Sequence, residues 1–227
     1  MTFPLISVDN QVVSDLIAMG KLPYHNAHRF YHNMDHIQSM AVYAEKVLSE
    51  KKLSEGLFMA IVWHDHVILN RPDMPGTEEQ MSRVLWCASA NAFNVKPQEY
   101  LPVADMIVDT ARHFSDDAEM RAMTPESKTL LSLDLIGLAA PADTFIKNTV
   151  NIYREYRPTL PYGTKESRVD KYLEARKGLF KTLQARPSIY YDEEIRAELE
   201  TGARFNLSCF VDGLYDDLIM TEIDDAI

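Results

Sequence analysis

Cysteine is almost absent: Cys87 and Cys209 are the only two in 227 residues, and neither belongs to a Cys-x-x-Cys pair. A disulfide framework is therefore not expected, and a reducing cytoplasm is the simplest compartment. No run of 18 or more apolar residues occurs, so no membrane span is expected. The opening MTFPLISVDN lacks a basic region followed by an apolar stretch and does not read as a signal peptide. Positive charge is also in short supply, with 23 Lys and Arg against 34 Asp and Glu and a net charge of −11. A surface of that sign repels polyphosphate chains, which argues against duplex nucleic acid as a partner. A small phosphorylated molecule stays compatible, because a metal ion and a few arginines can hold it locally. Repeats, low-complexity linkers and composition shifts are missing as well. The reading is a single domain over 1–227, with a core from about 20 to 210 and an acidic C-terminal helix and tail, DGLYDDLIMTEIDDAI.

What is present is helical periodicity. Met34, Ile37, Ala41, Ala44 and Leu48 step by three and four, as do Leu57, Ile61, His64 and Ile68. Met81, Leu85, Ala88 and Ala92 form a third stripe, Val103, Ile107, Thr110 and Phe114 a fourth, and Val169, Tyr172, Arg176, Leu179 and Leu183 a fifth. No stretch of apolar/polar alternation bounded by turns interrupts them, so strands are absent or few. The punctuation agrees. Thr77 with Gln80 reads as a capping box, Thr124 before Pro125 as an N-cap, and Asp192 before two glutamates as another helix start. Breaks are expected at Pro72, Pro75 and Gly76, at Gly137 and Pro141, and over PYGT at 161–164. The fold class is all-α, with about eight to ten helices.

Several of these stripes carry groups that do not belong in a core. In AIVWHDHVIL, residues 60–69, His64 lies on the face of Leu57 and Ile61, and Asp65 is its neighbour. His36 sits beside Ile37 and Met40. Asp134, read as mid-helix, has Leu130, Leu131 and Leu138 around it. Burying a carboxylate or an imidazolium without a partner is expensive. Two histidines and two aspartates turned inward from three helices call for one divalent ion: the carboxylates cancel its charge and neutral imidazoles complete a mixed N/O shell. The ion could be Mn, Co, Ni, Mg, Fe or Zn, which ligand types alone do not separate.

The ordered series of motifs resembles the HD-domain metal-dependent phosphohydrolases. Within that superfamily it is closest to a subgroup of predicted HD hydrolases with an R-x-Y-H-N-x-x-H opening, here RFYHNMDH at 29–36. WHDHV, TEEQ, DTARH, LSLDL, IYREY and ARFNL follow in order, so the likeness spans most of residues 24–207. The resemblance implies an all-α HD-type helical bundle with metal ligands His36, His64, Asp65 and Asp134. Members with two metals add two histidines between the His-Asp pair and the last aspartate. Here His113 is the one available beyond His66, which favours a single metal, with Asp65 able to bridge a second, weakly held ion through water.

The function expected on these grounds is a metal-dependent phosphohydrolase acting on a small phosphorylated compound, a nucleotide first among them. A bound metal lowers the pKa of its water and polarises a phosphoryl oxygen. The acid/base role falls to Glu78, which stands three and seven residues before Met81 and Leu85, with Glu79 as substitute; the alternative is that both merely favour the helix N-terminus. Arg29 and His32, one turn before His36, are candidates for holding phosphate. Asp109 and His113 are i,i+4 partners, Asp109 orienting an imidazole that reaches substrate. Arg154, Arg168 and Arg204 are candidate phosphate ligands by bidentate geometry. Two other classes stay open: an HD-type di-iron oxygenase, and a non-catalytic nucleotide-sensing module. A homodimer fits the general habit of such bundles.

Overall fold

A computed structural model describes residues 9–49, 52–69, 77–159 and 164–225. They are all-α. In chain order the helices are α1 (Asn10–Lys21), α2 (Met34–Val47), α3 (Glu55–Trp63), α4 (Thr77–Ala92), α5 (Pro97–Asp109), α6 (Asp117–Ala122), α7 (Pro125–Asp134), α8 (Ala142–Tyr156), α9 (Lys165–Ala185), α10 (Glu193–Val211) and α11 (Asp216–Asp225). Short 3₁₀ turns follow α1, α5, α7 and α8. No strand occurs among the described residues, and no helix is long and apolar enough to cross a membrane.

The caps explain most of the boundaries. Asn33 opens α2 by accepting from the backbone N–H groups of Asp35 and His36. Ser54 accepts from Leu57 at the start of α3. Thr124 with Pro125 starts α7, and Asp192 starts α10 by accepting from Glu194 and Ile195, both as the sequence predicts. Thr77 is the first described residue of α4, and the residues immediately before it lie outside the described ones. The breaks at Pro72, Pro75, Gly76 and 161–163 lie outside the described residues.

Helix α3 is the centre of the fold. Leu57 and every residue from Met59 to Trp63 are buried, as expected of a helix that is apolar all round. It touches α1, α2, α4, α5 and α7. The first, second, fourth and fifth stripes face the core over most of their length. The third does not: Met81, Leu85, Ala88 and Ala92 are exposed, and α4 turns Ser82, Trp86 and Ala90 inward instead. The reason is Trp86. Its indole is fully buried, donates to the Tyr100 carbonyl at 2.9 Å and packs 5.5 Å from the Trp63 ring, which sets the rotation of α4. The acidic segment near the C-terminus forms α11, which buries Ile219 and Ile223 and lies against α8.

One glycine sets how closely α1 approaches α3. A Cβ on Gly20 would lie 2.5 Å from Val62 Cγ1 and 2.7 Å from Trp63 Nε1, directly behind the His-Asp pair. The Trp63 indole donates to the Leu16 carbonyl at 3.2 Å across the same contact. Both neighbours are fixed in the core, so Gly20→Ala is expected to destabilise the protein by about 1–3 kcal/mol through overpacking. Urea unfolding would read this as a lower midpoint with an unchanged slope.

Candidate metal centre

Three helix ends deliver the charged groups. His36 is in the first turn of α2, placed there by the Asn33 cap. His64 follows the last residue of the apolar α3, with Asp65 next to it. Asp134 is the last residue of α7 rather than a mid-helix position, because Leu135 (φ −88°, ψ 4°) leaves helical geometry and a 3₁₀ turn follows. Its partners come from elsewhere in the fold.

The four groups converge, with one ligand atom from each lying within 4.8 Å of the others. His36 Nε2 stands 3.0 Å from Asp134 Oδ1 and 3.9 Å from Asp65 Oδ2. His64 Nε2 stands 3.1 Å from Asp65 Oδ2 and 3.5 Å from Asp134 Oδ1. Both Nε2 atoms are buried, and neither completes a hydrogen bond, despite these short separations. The His64 ring is oriented from behind: its Nδ1 is 2.8 Å from the Ile61 carbonyl, which can only accept, so Nδ1 carries a proton and the neutral ring keeps its Nε2 lone pair for the cluster. Bonds of about 2.0–2.2 Å from a shared cation to imidazole nitrogen and carboxylate oxygen place ligand atoms roughly 3–4 Å apart. The cluster fits a divalent ion on that test. An all-helical chain with such a buried His/Asp group fits an HD-type fold.

Two more imidazoles reach the same carboxylates. His113 Nε2 is 2.9 Å from Asp134 Oδ2, and His32 Nε2 is 4.0 Å from Asp65 Oδ2. His32 is held by Glu155: its Nδ1 lies 2.6 Å from Oε2, while the backbone N–H groups of Tyr31 and His32 donate to Oε1. Sequence reasoning passed over Glu155, although it is the acid of IYREY; the signal was a glutamate on the buried side of a helix. Asp109 does not orient His113. It accepts from Ser127 Oγ at 2.6 Å and faces Arg112 at 3.6 Å. The chain tightens into a 3₁₀ turn at Thr110–Arg112, where the larger rotation per residue takes His113 off the Asp109 face.

Burial would raise the Asp65 carboxyl, but the His64 and His32 imidazoles outweigh it and hold it well below the usual carboxylate range. Asp134 is likewise buried and likewise held well down, by His64 and His113. His64 moves the other way: burial favours the neutral ring, but Asp65 and Asp134 outweigh it. A cluster of this kind takes up protons when no cation neutralises it.

Above the cluster lies a cavity of about 520 Å³ whose wall includes Asp65, Asp134, His32, His113, Glu78 and Glu79. The two glutamates are not equivalent. Glu78 accepts from the Leu69 N–H. Glu79 shares the inward face with Ser82 and Trp86, its Oε2 is buried without a hydrogen-bond partner, and burial raises its carboxyl. The stripe through Met81 and Leu85 that turned Glu78 inward lies on the exposed face.

Of the predicted arginines, none lines this cavity. Arg29 donates to the carbonyls of His32, Asp65 and His66, tying the segment before α2 to the turn after α3. Arg154 stacks over Phe30 at 3.9 Å. Arg204 donates to the carbonyls of Gln184, Arg186 and Pro187 at the end of α9 and pairs with Glu200 at 2.7 Å. Arg168 is half-buried, with its Nε unpartnered. Among the described residues, the Lys and Arg of the wall are Lys171 and Arg176 of α9. Arg176 was visible as the one charged member of the fifth stripe.

Compared with protein-family profiles, curated proteins and solved structures, the chain has no match.

Metal uptake is expected to release protons and to tighten as pH rises, because His64 must give up its proton to ligate. Calorimetric titration of Mn²⁺ or Zn²⁺ in buffers of different ionisation enthalpy measures the proton count; His64→Ala and Asp134→Ala are expected to abolish binding. Glu155→Gln removes the charge that faces His32. Burial favours the neutral His32 ring, and Asp65 and Glu155 together outweigh it in the wild type, so the His32 titration midpoint in NMR is expected to fall.

Proposed function

We propose that this protein is an HD-type metal-dependent phosphohydrolase acting on a small phosphorylated compound, with nucleotides the first class to test. One observation carries the reading: the orphaned Nε2 atoms of His36 and His64 meet the carboxylates of Asp65 and Asp134 at metal-ligand spacing, at the floor of a cavity. A divalent ion held there supplies a water of lowered pKa and a Lewis acid for a phosphoryl oxygen. The chain's own contribution is to fix geometry and to move protons. In hydrolysis the oxygen of water bonds to phosphorus, the ester P–O bond breaks, and the leaving oxygen takes a proton to give the alcohol and inorganic phosphate. Glu79 is the group we assign to that proton. Its Oε2 is buried without a hydrogen-bond partner in the cavity wall and burial raises its carboxyl, which suits a group that exchanges a proton with the leaving oxygen. Glu78, held by the Leu69 N–H, is the substitute.

A second reading has its own support. Four histidine Nε2 atoms, from His32, His36, His64 and His113, face two carboxylates, which supplies ligands for two ions and so for a di-iron oxygenase. Elemental analysis separates the two, because two irons per chain favour the oxygenase.

Phosphate release from a panel of nucleotides and phosphate esters, with Mn²⁺, Co²⁺, Ni²⁺ or Mg²⁺ supplied in turn, tests the hydrolase. Turnover is expected with at least one pair and should drop by more than about a thousandfold in Asp65→Ala, of the order seen when an essential catalytic group is removed. No release from any ester with any metal overturns the proposal.

A further inference from the structure

Arg176 is a cation in want of an anion. Its Nε is buried without a hydrogen-bond partner, and no carboxylate of the described residues lies within the 4.0 Å of an ion pair. Its guanidinium packs over the Phe180 ring at 4.9 Å and forms part of the cavity wall. An unpaired charge half-removed from water costs stability unless a ligand completes it, and a guanidinium is matched to the oxygens of a phosphate. Arg176 lines the same cavity as Asp65 and Asp134 of the metal cluster.

The rest of the wall says what else the ligand carries. The cavity is also lined by Leu138, Phe145, Ile152 and Leu179, with Asn148 and Thr149 among them, a mostly apolar surface suited to an apolar body rather than a charged one. Among the described residues the wall's Lys and Arg are Lys171 and Arg176, set against Asp65, Asp134, Glu78 and Glu79. With a divalent ion they meet one phosphate; each further phosphate of a di- or triphosphate brings more negative charge beside these carboxylates in a partly desolvated cavity.

From this arrangement we infer that the substrate is a monophosphate ester with an apolar organic part, its phosphate held between Asp65/Asp134 and Arg176 and its body against Leu138, Phe145, Ile152 and Leu179. The inference rests on the phosphohydrolase reading and narrows it: a nucleotide qualifies only as its monophosphate.

The test uses the full chain loaded with the metal that supports most activity. Wild-type protein is given 1-naphthyl phosphate, a nucleoside monophosphate and the corresponding triphosphate in parallel, and Arg176→Lys and Arg176→Gln are compared on 1-naphthyl phosphate, with inorganic phosphate as competitive inhibitor. The expected order of kcat/KM is naphthyl ester first and triphosphate last, at least tenfold apart. Arg176→Gln should raise KM and the phosphate inhibition constant together by about tenfold, with kcat within a few-fold; Arg176→Lys should recover part of the loss. A triphosphate turned over as well as the monoesters overturns the substrate class while leaving the phosphohydrolase standing. An Arg176→Gln variant with unchanged KM and phosphate inhibition removes Arg176 from the site. The wild-type comparison needs no variant, so it decides the class even if the substitutions unfold the protein. No phosphate released from any of the esters sinks the phosphohydrolase reading and this inference with it.

Discussion

The interior of a helical bundle tolerates a carboxylate or an imidazolium only when something neutralises it. Asp65 and Asp134, with His36 and His64 between them, meet that constraint collectively. Their oxygens and nitrogens stand 3.0–3.9 Å apart, yet the two Nε2 atoms complete no hydrogen bond. Groups at this spacing could share one metal ion. The backbone adds to the effect, since α3 and α7 both end at the cluster and their C-terminal carbonyls favour positive charge. The N-terminus of α2, which carries His36, works in the opposite direction and favours the carboxylates.

Much of the surrounding polar structure holds this cluster in place. Arg29 binds the Asp65 and His66 carbonyls of the turn after α3 and the His32 carbonyl before α2, and packs 4.9 Å from the Tyr24 ring. Glu155 reaches from α8 to fix His32 through both its side chain and its backbone. His66 stacks on Trp63 at 4.5 Å and turns Nδ1 toward the Gly20 carbonyl at 3.3 Å, so the residue after Asp65 is anchored to the same α1–α3 contact that Gly20 makes close. Contacts of this kind, made outside the cluster, keep the spacing that a shared ion would need.

The cavity wall gathers cations that the chain as a whole has in short supply. A net charge of −11 is spread over the whole chain, whereas α9 brings Lys171 and Arg176 to the cavity that Asp65 and Asp134 also line. Local charge, not the total, decides what enters. Three tyrosines, Tyr31, Tyr156 and Tyr172, line the same space; the Tyr172 hydroxyl is already engaged with the Thr149 carbonyl at 2.8 Å.

Helix class, the caps at Thr124 and Asp192, and the four inward-facing metal-ligand candidates were all legible in the sequence. Each depends on short-range rules: 3.6-residue periodicity, a side chain capping its own helix, and a charged group flanked by apolar neighbours. What periodicity could not settle was rotation and partnership. The exposed stripe on α4 was as regular as the buried ones, and only the Trp63–Trp86 contact shows which face turns in. Arg29, Arg154 and Arg204, read as phosphate ligands, are tied to carbonyls or stacked on a ring, and the cavity's guanidinium comes from α9 instead. Asp109 and His113 part company because the helix tightens between them. A sequence specifies how each helix distributes its own side chains; which of them meet across tens of residues of chain is decided when helices pack, because only then do orphaned charges find a partner.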